Sequence, residues 1–493
     1  MRKNGILMPI FSLPSPYGIG TLGKSAKEFI DFLHNGAQRL WQILPIGTTT
    51  FGDSPYQSFS CFAGNPYFID LDLLINDNLL TEKEVKSFDF GNDNEHVDYE
   101  KLYNNRYKVL KIAFNRFIID EDYKKFEKQN SYWLDDYALF MSLKSANNGA
   151  PWYEWSIPLK KRENNALNAA KNELADDIAF HKFLQFTFNK QWISLKKYAN
   201  QKEIEIIGDI PIYVALDSAD VWSKPKQFLL DDDYTPRAVA GVPPDAFSEE
   251  GQVWGNPLYN WDYMKKTEYS WWKQYLGFAL KRYDIVRIDH FRGFESYFSI
   301  PYGATTAKGG KWIKGPDTDL FQAFTDEFGK NLPIIAEDLG VITPAVRKML
   351  SATGFPGMKV LQFAFSGNGD NAYLPHNITK NSVVYTGTHD NDTIMGWLAN
   401  SDDATVKQAK DYFNHPHNNG FNWAMIKAAM SSVADICIIP MADFLGIDSS
   451  GRINTPSTLG TNWSWRIKSE CINDWLANII KENTILYGRE NKI

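Results

Sequence analysis

Cysteine is scarce in this 493-residue chain, long uninterrupted apolar runs are missing, and neither sign of charge dominates. Each absence excludes something. The three cysteines, Cys61, Cys437 and Cys471, are odd in number, far apart and without metal-type spacing. A disulfide scaffold and a structural zinc site are therefore not expected; reduced thiols are. No stretch approaches the ~20 apolar residues that a membrane span needs. Met1-Arg2-Lys3 is followed by Ile6-Leu7-Met8, but Pro9 stops that run and Pro14 and Pro16 follow. The apolar core of a secretion signal does not form. Lys plus Arg number 52 against 59 Asp plus Glu, a formal net charge of −7. That mild acidity argues against nucleic acid or an anionic membrane as a partner. A soluble cytoplasmic protein is expected.

What the chain holds in quantity is aromatic residues, 15% of it, including 16 Trp and 24 Tyr. Many fall in Gly/Pro/Asn-rich stretches rather than at helical or strand periods. Flat amphipathic rings on loops suit ligands with apolar faces and polar edges, sugars among them, although protein interfaces use the same chemistry.

Short apolar runs bounded by turn residues read as buried strands. Eight occur: Gly5–Ile10, Leu40–Pro45, Glu203–Asp209, Ile285–Asp289, Pro333–Glu337, Met358–Phe363, Val383–Thr386 and Asp435–Pro440. They are rich in Ile, Val and Leu without strict alternation, as strands covered on both faces of a parallel sheet are. Helix-like segments such as Ser25–Leu33, Tyr269–Arg282, Leu320–Phe328, Thr343–Ser351 and Ala404–Phe413 separate most of them. The pattern predicts an α/β fold, a (β/α)₈ TIM barrel occupying 1–493 as one catalytic domain, with a doubly wound open sheet as the alternative. Residues 71–200 read as a mainly helical insertion. Residues 217–265, rich in Pro, Gly, Asp and aromatics, read as a loop insertion over the cleft.

Acids terminate several strands. Asp289 ends Ile285-Val286-Arg287-Ile288-Asp289-His290, where alternation past Val286 and Ile288 turns Arg287 and Asp289 to the other face. Glu337 follows Ile334-Ile335-Ala336, Asp390 follows the Val383 strand through Thr386-Gly387-Thr388-His389, and Asp209 follows Ile206-Ile207-Gly208. Asp is also a common turn and N-cap residue, so any one of the four has a bland explanation. Four on successive strands of one barrel point to glycosidic bond chemistry. That reaction needs a protonated carboxylic acid opposite an ionised carboxylate, about 5–5.5 Å apart in retaining enzymes. Arg287 would keep Asp289 ionised and oriented. Glu337, preceded by apolar residues, would have its pKa raised by desolvation, as suits a general acid. His290 and His389 each adjoin a proposed catalytic Asp and would bond sugar hydroxyls.

These segments resemble the motif blocks of the α-amylase clan: Arg-x-Asp after the fourth strand, Glu after the fifth, His-Asp after the seventh. Within the clan the whole chain resembles glycoside hydrolase family 77, the 4-α-glucanotransferases. The supporting stretches are Ser12-Leu13-Pro14-Ser15-Pro16-Tyr17-Gly18-Ile19-Gly20, Asp53-Ser54-Pro55-Tyr56-Gln57 through Ala63-Gly64-Asn65-Pro66-Tyr67, Gly208-Asp209-Ile210-Pro211, Gly241-Val242-Pro243-Pro244-Asp245-Ala246-Phe247-Ser248, Gln252-Val253-Trp254-Gly255-Asn256-Pro257, and Asn454-Thr455-Pro456 through Asn462-Trp463. The resemblance implies that Asp289 is the nucleophile, Glu337 the acid/base and Asp390 the transition-state stabiliser. It further implies that Asp209, Arg287, His290 and His389 line the donor sugar subsite, that Tyr56, Gln252, Trp254 and Asn462 contact glucan, and that Asp245 and Phe247 lie in a loop overhanging the cleft. Ala246 stands where some relatives carry tyrosine, which weakens the stacking expected of that loop. No cofactor, no metal and no C-terminal β-domain are implied. The implied donors are α-1,4-glucans and maltooligosaccharides, the acceptors glucose or maltooligosaccharides, and the oligomeric state a monomer or weak dimer.

Other readings compete. An α-glucan hydrolase would use the same carboxylates, with water in place of the acceptor sugar. A non-catalytic glucan-binding barrel should have lost one of the three carboxylates. Gly18-Ile19-Gly20-Thr21-Leu22-Gly23 matches a dinucleotide fingerprint, but Pro14 and Pro16 spoil the preceding turn and no acid ends the next strand. His415-Pro416-His417 lacks a third ligand for a metal.

Overall fold

The computed structural model describes residues 2–490, except Phe51, 245–247 and Ser366. Eight short strands pair in parallel and close into a barrel. In chain order they are Lys3–Leu7, Leu40–Gln42, Glu205–Ile210, Ile285–Ile288, Ile334–Ala336, Gly357–Val360, Ser382–Tyr385 and Ile436–Pro440, the first to eighth barrel strands. The first pairs with the second and also with the eighth, from Lys3↔Ile436 to Leu7↔Pro440. That closure excludes the doubly wound open sheet and gives the (β/α)₈ barrel expected of the strand–helix series.

The residues explain the closure. Ile206, Ile207, Val286, Ile288, Val383 and Val384 have no exposed surface, so both faces of the strands are covered. Each such side chain contributes roughly 1.5–3 kcal/mol by leaving water. The first strand stops at Leu7 rather than at Ile10, and Ile10–Ser12 forms a 3-10 turn. Pro9 has no N–H to continue the ladder. The sixth strand likewise gives way to a 3-10 turn at Leu361–Phe363. Helices cover the outside, with ordinary end signals: Thr343 accepts from the Val346 N–H, Pro344 opens the helix, and Gly354 in the left-handed region closes it.

Between the second and third barrel strands the chain forms several helices, the longest being Tyr99–Arg116, Glu121–Ala146 and Ala175–Gln201. Two glutamines of the last of these pin the loop that leaves the second strand. Gln185 exchanges hydrogen bonds of 2.7 and 2.9 Å with the Gly64 backbone, and Gln191 exchanges bonds of 2.7 and 3.1 Å with that of Asp70. The segment 217–265 differs from the ordered loop its composition suggests. Ala238–Val242 and Gln252–Pro257 are strands in it, and they join Ser296–Pro301 and Lys311–Lys314 in a four-stranded antiparallel sheet. Gly241, Gly255, Asn256 and Pro257 have little β-propensity; backbone pairing with the neighbouring strand makes these residues extended.

Barrel strands one and two approach closely at Gly5. A Cβ there would stand 2.4 Å from Leu40 Cβ and 2.5 Å from its carbonyl oxygen. Gly5→Ala should therefore destabilise the fold by about 1–3 kcal/mol, lowering the urea midpoint. An unchanged midpoint would show that the two strands are not so tightly apposed.

Candidate active site

Parallel register puts the carboxylates at one end of the barrel. Asp209 pairs with Arg287 across the third and fourth strands, and Ile288 pairs with Ala336 across the fourth and fifth. Continuing that second ladder by one residue brings Asp289 alongside Glu337. The backbone supports this, since Glu337 N donates to Ile288 O at 3.1 Å and Asp289 N to Ile210 O at 3.0 Å.

Arg287 is the hub. Its Nη1 donates to Asp209 Oδ2 at 2.5 Å and to Asp289 Oδ1 at 3.0 Å. The Asp209 side chain is 0% exposed and that of Arg287 4%, whereas Asp289 keeps 28%. The Tyr56 hydroxyl gives Asp209 Oδ2 a further bond of 2.8 Å. Burial lifts the Asp209 carboxyl above its ordinary range and Arg287 pulls against that. The guanidinium itself is driven firmly to its charged form, because two carboxylates outweigh its desolvation.

Glu337 is treated in the opposite way. Among the described residues no cation is bonded to it. Its Oε2 accepts the His290 N–H and its Oε1 the Leu339 N–H, both at 2.7 Å. The His290 N–H belongs to a left-handed turn with φ of 50°, a conformation that costs a non-glycine residue of the order of 1 kcal/mol. Burial, followed by the nearby charge of Asp289, pushes the Glu337 carboxyl up to about 8 against the pull of Arg287 and the two N–H groups. Burial, with Arg292 adding to it, pushes His290 down to about 3, so that imidazole is neutral.

Asp390 is the most exposed of the three carboxylates, its side chain 48% open, and lies on the 387–393 loop. Asp443 clips the two ends of that loop, its carboxyl accepting from Thr386 Oγ1 at 2.5 Å and from Ile394 N at 2.7 Å. From the segment after the eighth strand, Asn454 Nδ2 donates to Asp390 Oδ1 at 2.6 Å and Arg452 Nη2 to the Asp390 carbonyl at 2.8 Å. His389 Nε2 stands 3.4 Å from Asp390 Oδ2, and burial holds this imidazole below its usual range too. Its ring stacks on Tyr56 at 5.1 Å and 19°, with Trp463 5.9 Å from both rings. On the other side Trp254 stands edge-on to His290 at 4.9 Å.

Of the residues singled out from the sequence, Asp209, Arg287, Asp289, His290, Glu337, His389, Asp390, Tyr56 and Trp254 are thus linked in one constellation. Gln252 reaches it indirectly, by accepting the Trp254 Nε1–H at 3.1 Å. Asn462 is engaged within its own loop: its Oδ1 accepts Thr455 N at 3.0 Å, and its Nδ2 donates to Thr458 O at 2.9 Å. Asp245 and Phe247 lie outside the described residues. Asn454, Arg452 and Trp463 were not picked out as site residues, although Asn454 and Trp463 stand inside a recognised motif. A polar residue just beyond the eighth strand was the available signal, because a closed barrel brings that segment beside the seventh. His415 and His417 lie away from any such cluster, and His415 Nε2 pairs with Asn419 O at 2.9 Å.

A buried carboxyl that keeps its proton near neutrality, beside a carboxylate bonded to a fixed cation, is the pairing that acid-and-nucleophile chemistry at a glycosidic bond requires. A family model described as 4-alpha-glucanotransferase matches residues 8–472. The chain is similar to the 4-alpha-glucanotransferase of Clostridium butyricum, 51% identical over 486 residues, covering 98% of this chain and 100% of that one. It is 47% identical to the 4-alpha-glucanotransferase of Streptococcus pneumoniae over 496 residues, 100% of this chain and 98% of the relative. Among solved structures it resembles amylomaltase from Streptococcus agalactiae in complex with acarbose, at 41% identity, a TM-score of 0.97 and full coverage of both chains.

The raised Glu337 carboxyl has a consequence for stability. An unfolded Glu loses its proton near 4.5, whereas in the folded chain it does so near 8. The folded state binds the extra proton between those values, so this group's contribution is complete below the lower one and disappears as pH rises through the upper one. Relative to Glu337→Gln, the parent should lose stability steadily across that window. Urea midpoints measured over it check the sign, and parallel curves for the two proteins would contradict a raised carboxyl.

Proposed function

The chain belongs to the 4-alpha-glucanotransferase family, glycoside hydrolase family 77, and on that premise we propose how its carboxylates divide the reaction. The enzyme moves α-1,4-glucan segments from a donor to the 4-hydroxyl of an acceptor by retaining double displacement. The assignment of roles is carried by the contrast between Asp289, bonded to Arg287, and Glu337, buried with no cation on it. Asp289 attacks the anomeric carbon of the donor as Glu337 gives its proton to the glycosidic oxygen, and the reducing-end piece leaves. Glu337, now a carboxylate, takes the proton of an acceptor 4-hydroxyl, and that oxygen displaces Asp289 with net retention. Asp390, exposed to the cleft and held by Asn454, stabilises the positive charge of the sugar ring. Arg287, with Asp209 beneath it, holds Asp289 in place for the attack, and the neutral imidazoles of His290 and His389 bond the ring's hydroxyls.

Transfer requires a sugar to reach the glycosyl-enzyme ahead of water. The partly exposed rings of Tyr56, backed by His389 and Trp463, and of Trp254 supply apolar surface for the acceptor. The family premise extends to α-1,4-glucans and maltooligosaccharides as donors. Glucose or a maltooligosaccharide as acceptor is part of the proposal. So are a cytoplasmic site of action, which fits three free cysteines, and a monomer or weak dimer.

Incubation with maltotriose should yield glucose plus a ladder of longer maltooligosaccharides, separable over time. Glucose and maltose without longer products would mean hydrolysis instead. Asp289→Asn should fold normally and lose about 10⁴-fold or more in turnover; a substantial residual rate would remove Asp289 from the nucleophile role. Donor cleavage should fall as pH rises through about 8, where Glu337 gives up its proton.

A further inference from the structure

Arg292 stands two residues beyond His290 in the Phe291–Phe294 turn and is buried. Its guanidinium is held by neutral groups. Nη1 donates to the Val341 carbonyl at 2.6 Å, Nη2 to Ser296 Oγ at 3.1 Å, and the plane lies over the Trp312 ring at 3.6 Å. The nearest acid, Glu295, is engaged by Ser296 Oγ at 2.7 Å and by Lys314 Nζ at 2.6 Å. A buried cation held in this way is an expensive tether for a surface loop, since neutral acceptors only partly replace its hydration.

What the tether holds is specific. Val341 belongs to the loop leaving Glu337, the same loop whose Leu339 N–H bonds Glu337 Oε1 at 2.7 Å. The other carboxyl oxygen is bonded by the His290 N–H, in the turn from which Arg292 projects. Arg292 therefore joins the two segments that supply both backbone donors to the Glu337 carboxyl. The antiparallel sheet grips this turn from its two edges: Trp254 on the Gln252–Pro257 strand meets His290, and Trp312 on the Lys311–Lys314 strand covers Arg292.

We propose that Arg292 is a positioning residue for the proton-transfer step, fixing the gap between the His290 turn and the 338–341 loop and so the orientation of the Glu337 carboxyl, with Trp312 as its cover. This depends on Glu337 being the proton donor. A guanidinium can reach Val341 and Ser296 at once in a fixed fork while stacking on the indole; a lysine cannot. The group acts through Glu337 and does not touch the sugar.

The test compares two donors. Maltotriose needs its leaving oxygen protonated, whereas α-maltotriosyl fluoride expels fluoride without an acid. Arg292→Lys should lower kcat on maltotriose by ~10–100-fold with KM within about twofold, while the first-turnover fluoride burst stays within about threefold of the parent. Trp312→Ala, at a partly exposed edge-strand position, should show the same pattern at about a third to a tenth of the parent kcat. It carries the test if Arg292→Lys does not fold. Loss of Leu339 N–H bonding should also move the alkaline limb of the maltotriose profile upward, because that bond favours the carboxylate. Equal losses on both donors, or none on either, would overturn the proposal and leave Arg292 a structural tether. Glu337→Gln run alongside separates the two levels: if it too fails to spare the fluoride burst, the proton-donor assignment falls, not the clamp alone.

Discussion

A single guanidinium inside the barrel, that of Arg287, is bonded to two carboxylates, and the electrostatics of the site follow from that sharing. The cation is fixed in charge and nearly sealed from water, so its field is strong and directional. It holds Asp289 at the rim of the cleft and Asp209 below it. Its Nη1 serves both of those acids, while on Glu337 it acts only through its field, with no hydrogen bond or ion pair to it among the described residues. Burial and the charge of Asp289 then decide the protonation of Glu337, and both act to raise it. The contrast between Asp289 and Glu337 thus arises from the placing of one cation and from burial rather than from the chemical identity of the carboxyl groups.

The barrel supplies the precision this requires. Asp209, Arg287, Asp289 and Glu337 sit at or just past the ends of adjacent strands, and parallel register sets their relative heights. Backbone N–H groups complete the work at Glu337, where a left-handed turn at His290 aims one donor and the following loop aims another. Asp390 is held differently, on a loop whose ends are clipped by Asp443 and whose carboxylate is met by Asn454. Asp289 and Glu337 rest on strand ends, and Asp390 rests on a braced loop.

Much of this was legible in residue order. Apolar runs without alternation marked all eight strands, because strands covered on both faces need no polar positions. Alternation in Ile285–Asp289 placed Arg287 on the same face as Asp289, and the bond between them follows from it. The four-stranded sheet was not legible. Its strands carry Gly, Asn and Pro, and the pairing that makes them extended comes from segments up to some sixty residues away. The bonds of Asn454, itself part of a motif, and of Arg452 to Asp390 are not legible for a related reason, since Asp390 is remote in sequence and only closure of the barrel brings them together. Asn462 illustrates the converse: its motif position suggested substrate, and its amide is engaged in shaping its own loop.

Residue order alone carries the α/β strand–helix series, with barrel and open sheet both compatible, the strand ends that bear acids, and the family whose motifs run through the chain. Those are properties of local pattern, carried by hydrophobic period, turn residues and motif order. Chain closure was needed to make Arg287 bridge Asp209 and Asp289, to leave Glu337 with backbone N–H partners and no bonded cation among the described residues, and to set two tryptophans of a small sheet against the turn beside it. Proton affinity and side-chain orientation depend on which groups lie within a few ångströms and how far water is excluded. Distances of that kind are set by chain closure, which no local pattern encodes.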